Sequence, residues 1–449
     1  MCIRDSDKTI RLAVAVYHST SDSPAPDPVI YLSGGPGGGA VEPIATVYET
    51  FIAPILEERD FIVFDQRGTG RSRPALTCPD YIAVPMNRVE RNFRANSEAA
   101  ERYINELLDC RDWLVRRDID VAAYTSAASA ADVAAIVRVL GYEQVNLYGG
   151  SYGTRLAQTV MRDFPDIVRS AVLDSAIPIE LNLYNEQAFK TAYAINTLFE
   201  GCAADPACDA AYPDLATVYY DLVARMDEDP IIVKALDPQT GFPFYVRMDG
   251  VELTGIIFFG LQLTDYVPYL PRLIYEIAND DYTLLSALLS VPLDTEDVIN
   301  IGVFLSINCH EEVFATTPEQ IDHDYALYPE TEAFAQAGLL GSAETYYDLC
   351  VQWGAAPFDP REGEPLSSDI PTLILAGEYD SATPPPFGRQ ITEHLGHSYY
   401  YEFPGQGHVA SINPAGCPFE VALSFLRDPW RDPDISCLNE MSGPDFVTD

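Results

Sequence analysis

The sequence predicts an α/β fold: a mostly parallel sheet flanked by helices and split by one long, mainly helical insertion. Three observations carry this reading. Residues 29–32 and 61–64 are short, wholly apolar runs that each stop at a glycine-rich loop. That is the pattern of buried parallel strands whose loops gather at one sheet edge. Residues 145–148 are apolar and β-prone, and lead through Gly149-Gly150-Ser151-Tyr152-Gly153 into good helix formers at helical spacing over 154–161. The strand pattern stops after Pro178 and returns only at 372–376.

Taken in order, residues 11–18 alternate and are β-branched enough for a first strand, and 19–28 form a Pro/Ser/Asp turn. The strand at 29–32 ends in Ser33-Gly34-Gly35-Pro36-Gly37-Gly38-Gly39, and that at 61–64 in Asp65-Gln66-Arg67-Gly68-Thr69-Gly70-Arg71-Ser72. Periodicity predicts helices over 105–117 and 127–140, the second passing through Gly141-Tyr142 to the strand before Ser151. Residues 170–173 are the next strand. Strands at 372–376 and 398–403 and a helix over 419–426 complete the pattern. The tail after Pro429 is rich in Pro and Asp and reads as irregular, with Cys437 available to pin it. The domain organisation is a core in two parts, 7–177 and 367–449, separated by a helical cap over 178–366.

The chain of 449 residues carries 68 acidic against 27 basic side chains, a formal charge of −41, with lysine only at Lys8, Lys190 and Lys234. Such a surface repels nucleic acid and anionic membranes, so neither is an expected partner. No stretch reaches the ~18 uninterrupted apolar residues of a spanning helix. Nine cysteines without CxxC spacing argue against a zinc site and for an oxidising compartment, periplasmic or extracellular. Pairing in sequence order gives Cys78–Cys110, Cys202–Cys208, Cys309–Cys350 and Cys417–Cys437, with Cys2 left over. Residues 1–6 have no apolar signal-peptide region, so a truncated or foreign N-terminus is expected.

Strand, G-x-S-x-G and helix are the context of a nucleophile elbow, in which a strained turn lifts the serine hydroxyl above the sheet. Ser151 is thus the candidate nucleophile. It needs a base held in one tautomer by a carboxylate. Of six histidines only His408, in Gly405-Gln406-Gly407-His408, follows a late strand at the edge where Ser151 lies. Asp380 and Glu378, just after the strand at 372–376, are the candidate acids. Asp380 is preferred because its short side chain sits nearest the Thr383-Pro384 turn. The oxyanion donors are the backbone N–H groups of Tyr152 and of Gly35, where the glycine loop can approach the substrate. Gly35-Pro36-Gly37-Gly38-Gly39-Ala40 also fits a dinucleotide fingerprint, but Pro36 and Pro43 are poor openings for its helix. There is no P-loop and no metal-ligand spacing, so no cofactor and no metal is expected.

The loop motifs at 33–37 and 65–72 resemble the prolyl aminopeptidase group of α/β-hydrolases. Gly149-Gly150-Ser151-Tyr152-Gly153-Thr154-Arg155 and Asp380-Ser381-Ala382-Thr383-Pro384 are similar to its tripeptidyl aminopeptidase branch, as is the C-terminal segment 367–449. The resemblance implies an α/β-hydrolase fold with a helical cap. It also implies a serine hydrolase that releases N-terminal residues from peptides through an acyl-enzyme on Ser151. Ser33 stands where many prolyl aminopeptidases have histidine, which fits the secreted branch better than single-proline release. Cap carboxylates bind the substrate's free α-amine in that family, and Glu311 and Glu312 are the candidates here. A carboxylesterase with the same triad and a non-catalytic binding protein on the same scaffold are the alternative readings. The number of residues released, the residue before the cut bond and the oligomeric state are not legible.

Overall fold

The central strands of the main sheet are buried on both faces. The computed structural model describes residues 9–77, 97–238, 240–290, 299–412 and 416–448. Its strands, in chain order, are β1 (Val14–Tyr17), β2 (Ala25–Leu32), β3 (Arg59–Phe64), β4 (Val145–Gly150), β5 (Val168–Asp174), β6 (Ile231–Leu236), β7 (Pro243–Met248), β8 (Thr372–Gly377) and β9 (Ser398–Phe403). Seven form one sheet in the order β1-β3-β2-β4-β5-β8-β9. Only β1 runs antiparallel to its neighbour. Because the other six are parallel, the loops after β2, β4, β5, β8 and β9 all leave the same edge, where ligands bind in open α/β sheets.

Side chains at alternate positions face opposite layers. Ile30, Leu32, Leu147, Leu173 and Ile374 pack with Val133, Val137, Leu156 and Val160 from the helices Ser126–Leu140 and Tyr152–Asp163. Val29, Tyr31, Tyr148, Val172 and Leu375 pack on the other side with Ile55, Phe419 and Phe425. The helix Ser126–Leu140 starts where the Thr125 side chain accepts from Ala128 N–H and stops at Gly141, whose φ of 83° is left-handed. That stop turns the chain into β4 at the register the sheet requires.

The region after Pro178 is mainly helical, as expected, but it divides in two. The helices Gln187–Ala204, Leu215–Glu228, Gly250–Leu261 and Leu270–Ala278 enclose a separate core with Leu198, Leu222, Ile257 and Leu273. The helices Ile301–Glu311 and Ala343–Trp353 instead bury Val303, Leu305, Leu349 and Trp353 against the elbow-side core of the main sheet. A hairpin of β6 and β7, paired antiparallel, was not read from the sequence. In β6 the inward residues are Val233 and Ala235, while the outward positions hold Ile232, Lys234 and Leu236, so apolar residues on both faces hide the alternation. Residue 25 also differs from expectation: β2 begins there, within the predicted turn, with a register shift before Val29.

Three of the four expected disulfides are formed, Cys202–Cys208, Cys309–Cys350 and Cys417–Cys437. The fourth involves Cys78, which lies outside the described residues. Among the described residues no helix is long and apolar enough to cross a membrane.

Candidate active site

Ser151 joins β4 to the helix Tyr152–Asp163 with φ 55° and ψ −126°. A non-glycine residue held at positive φ is strained, and such strain persists only when its surroundings fix it. Here Ser151 N–H donates to Asp174 O at 2.9 Å, and Ser151 O accepts from Thr154 N–H at 2.8 Å and from Thr154 Oγ1 at 2.7 Å. The flanking glycines are required by close approach. A Cβ on Gly153 would fall onto Leu32 O, and one on Gly149 onto Gly153 O. The pentapeptide is therefore legible in its glycines as much as in its serine.

His408 reaches the same edge from the loop after β9. Its Nδ1 lies 2.9 Å from both carboxylate oxygens of Asp380. Asp380 is buried and also accepts from Ala382 N–H at 3.0 Å, Thr383 N–H at 2.9 Å and Thr383 Oγ1 at 2.7 Å. Glu378, the other candidate acid, turns away and accepts from Gly405 N–H at 2.8 Å. Burial raises the Asp380 carboxyl, but the charge and hydrogen bond of His408 outweigh this and hold it below the usual carboxylate range. Burial likewise lowers His408, and the neighbouring Asp380 outweighs it, leaving the imidazole above its ordinary value. The loop is seated beside the elbow: Val409 packs against Gly150, and its N–H donates to Ser175 Oγ at 2.7 Å. The hydrogen bonds of His408 run to Asp380, to Thr383 and to Gln262, and none of them reaches Ser151. Nucleophile and base are thus brought to one edge without a hydrogen bond between them, a common resting state for such pairs.

Several supporting residues were not read from the sequence. Asp174, at the end of β5, accepts from Ser411 N–H at 2.9 Å, tying the far end of the histidine loop to the strand beside Ser151. Burial pushes its carboxyl up to about 6, against those hydrogen bonds. The cap holds the loop from above: His408 N–H donates to Gln262 O at 2.9 Å and Gly407 N–H to Thr264 Oγ1 at 3.0 Å. Ser381 Oγ donates to Phe258 O at 2.6 Å, fixing the acid loop to the same helix end. Only Thr383 carried a signal, since it lies in the turn next to Asp380.

The glycine loop after β2 lies over the elbow. A Cβ on Gly34 would sit 3.0 Å from Ser151 Cβ and 3.6 Å from Ser151 Oγ. Gly35, at φ 120°, follows directly. Tyr152 N–H heads its helix, where the first-turn donors have no intrahelical partner. Tyr152 is thus next to Ser151 in the chain, and Gly35 follows the glycine that touches it.

Two family models match this chain, one described as alpha/beta hydrolase fold over residues 27–224 and one as TAP-like protein over residues 339–437. The chain has the α/β-hydrolase fold. Among its curated relatives, serine protease Hip1 of Mycobacterium tuberculosis is 25% identical over 413 residues, spanning 88% of this chain and 77% of that protein. Carboxylesterase B of the same species is 26% identical over 431 residues, spanning 88% and 76%. Tripeptidyl aminopeptidase of Streptomyces lividans is 31% identical over 180 residues, spanning 38% and 32%.

The hydrolase does not offer Glu311 and Glu312 to a substrate amine, which corrects the expectation. Both are buried. Glu311 accepts from Ser126 N–H at 2.7 Å and Ser126 Oγ at 2.9 Å, and Ser126 in turn bonds Tyr152 OH at 2.6 Å. Glu312 pairs with Arg155 of the elbow helix and accepts from Leu183 N–H at 2.7 Å. Burial raises both carboxyls, with Arg155 pulling the other way. The cavity beside Ser126, Arg155 and Glu311 is about 20 Å³, room for a water and not for a peptide terminus. These two acids buttress the elbow helix. His310, next to them, is bound by Glu362 at 2.7 Å and has no path to Ser151 through these contacts.

Proposed function

We propose that this α/β-hydrolase is a serine peptidase that releases N-terminal residues from peptides, acting through an acyl-enzyme on Ser151 at an extracellular or periplasmic location. The observation that carries the chemistry is the grip of Asp380 on His408 Nδ1 at the edge where the strained Ser151 stands. With Nδ1 protonated and held, Nε2 is the basic nitrogen. It takes the Ser151 proton as Oγ attacks the carbonyl carbon, and the imidazolium formed is stabilised by Asp380. The carbonyl oxygen gains negative charge and is met by the N–H groups of Gly35 and Tyr152. His408 then gives its proton to the departing amine, and water, activated by the same imidazole, releases the acyl group. The reaction as written consumes only water.

Peptide bonds are favoured over esters by the likeness to Hip1 across most of the chain and to a tripeptidyl aminopeptidase across 38% of it. The three disulfides support an oxidising location. A carboxylesterase is the second reading, favoured by the equally long likeness to carboxylesterase B. Hydrolysis of one peptide with a free and with an acetylated N-terminus, beside a short-chain ester, tests the choice. The aminopeptidase reading expects at least tenfold faster cleavage of the free form. Equal cleavage of both peptides, with faster turnover of the ester, replaces it by the esterase reading.

A further inference from the structure

Ser175 stands where the nucleophile strand and the acid strand meet, and the mechanism above does not use it. It follows β5 directly, and β5 lies between β4, which ends at Ser151, and β8, which leads to Asp380. Ser175 N–H donates to Leu375 O of β8 at 2.9 Å, and the preceding Asp174 O accepts from Ser151 N–H at 2.9 Å. The residue is fully buried.

Its hydroxyl holds the main chain immediately after the base. Ser175 Oγ accepts from Val409 N–H at 2.7 Å. One residue earlier, His408 N–H donates to Gln262 O of the cap at 2.9 Å. The peptide groups on either side of the His408 Cα are therefore pinned to two different layers, the cap and the main sheet. The imidazole is fixed by its own main chain as well as by Asp380.

The backbone is strained on both sides of the Ser175–Val409 bond. Among the described residues seven non-glycine residues have positive φ, and three of them gather here: Ser151 at 55°, Ser175 at 61° and Val409 at 55°. A β-branched residue such as valine is rarely found in that region. Such conformations persist only where the surroundings hold them. Val409 is held at its N–H by Ser175 and at its side chain by Gly150, where an added Cβ would come within 3.2 Å of Val409 Cγ1. Two residues further on, Ser411 N–H is held by Asp174 at 2.9 Å. The same hydroxyl bears on the acid: burial raises the Asp380 carboxyl, and the groups that pull it down are His408, Thr383 and Ser175.

We infer that Ser175 is a positioning residue for the reaction, whose hydroxyl seats the His408 loop against the strained elbow. It acts through His408, so the inference rests on the reading of Ser151 as nucleophile and His408 as base. Removing the hydroxyl leaves Val409 N–H without its acceptor and frees the strained loop to relax away from Ser151.

Hydrolysis of p-nitrophenyl acetate and the rate of fluorophosphonate labelling, compared in single and double variants, test it. Ser175→Ala is expected to lower both rates at least fivefold, since both need His408 to take the Ser151 proton. Ser175→Gly suits a φ of 61° but also lacks the hydroxyl, and should lose at least as much. It carries the same comparisons if Ser175→Ala does not fold. In a His408→Ala background, adding either Ser175 substitution should change the slow residual rates less than threefold, because nothing is left to position. A smaller loss than fivefold in a folded single variant overturns the inference, and a parental Ser175→Gly would assign the Ser175→Ala loss to backbone strain alone. A further loss of threefold or more in the His408→Ala background also overturns it, since that marks a general structural role. Activity that persists in Ser151→Ala removes the nucleophile reading as well. Parental Ser175 variants beside an inactive Ser151→Ala remove this inference and leave that reading standing.

Discussion

Asp380 is the most tightly fixed residue of the candidate triad, with bonds from two main-chain N–H groups, one hydroxyl and His408. Ser151→Ala, His408→Ala and Asp380→Asn should each lower kcat/KM by roughly 10⁴-fold or more, with little further loss in double variants, because triad members act as a unit. Glu378→Gln should stay within a few-fold of the parent, since Glu378 binds only the Gly405 N–H. A reversed result at positions 378 and 380 would move the acid. The imidazole must be neutral to accept the serine proton, so activity falls as pH drops through the His408 pKa. Asp380 raises that pKa, so the acid limb of kcat/KM should lie above the ordinary histidine value of 6.5. A limb below that value would mean that burial outweighs Asp380. Ser151 was legible because its glycines are a local steric demand. The choice between Asp380 and Glu378 rested only on side-chain length, and the hydrogen bonds of the Asp380 turn give that choice its physical basis. Glu311 and Glu312 were misread because the sequence does not show that Ser126 and Arg155 reach them first.

The segment that follows the cap helix Gly250–Leu261 is an active participant in the site. Thr264 Oγ1 and Gln262 O hold consecutive N–H groups of the histidine loop, and Phe258 O holds the acid loop. Thr264→Val keeps the shape and removes the acceptor for Gly407 N–H, costing about 1 kcal/mol of loop placement. It is expected to lower kcat several-fold with KM little changed, and Thr264→Ser should restore it. A Thr264→Val enzyme with the parent kcat would show that the loop is seated without the cap. No sequence pattern announces this contact, because its partners are 143 residues apart. The parallel strands were legible for the opposite reason: residues 29–32 of β2 and 61–64 of β3 are buried on both faces and wholly apolar, and β4 is buried throughout with Asn146 its one polar side chain. The hairpin of β6 and β7 is exposed on one face yet carries Ile232, Leu236 and Tyr245 there, and the alternation was lost.

Across the molecule the disulfides pin different layers. Cys309–Cys350 joins the two helices that close over the elbow-side core, with both cysteines fully buried. Cys417–Cys437 ties the irregular tail to the last helix and is half-buried. Thiol–disulfide exchange requires access to the sulfur. Brief treatment of the native protein with a thiol, followed by alkylation and peptide mapping, should mark Cys417 and Cys437 first and leave Cys309 and Cys350 unmarked until the protein unfolds. Marking of Cys309 at the same rate would mean that the core above the elbow opens readily. The main sheet brings to one edge residues from the loops after β2, β4, β8 and β9, and on the proposed function this gathering singles out one serine among many. Labelling the native protein with a fluorophosphonate and locating the adduct by mass spectrometry therefore tests the account most directly. The expected result is a single adduct on Ser151 that is absent from Ser151→Ala and strongly reduced in His408→Ala. An adduct on another serine, or none in a folded preparation, would contradict it.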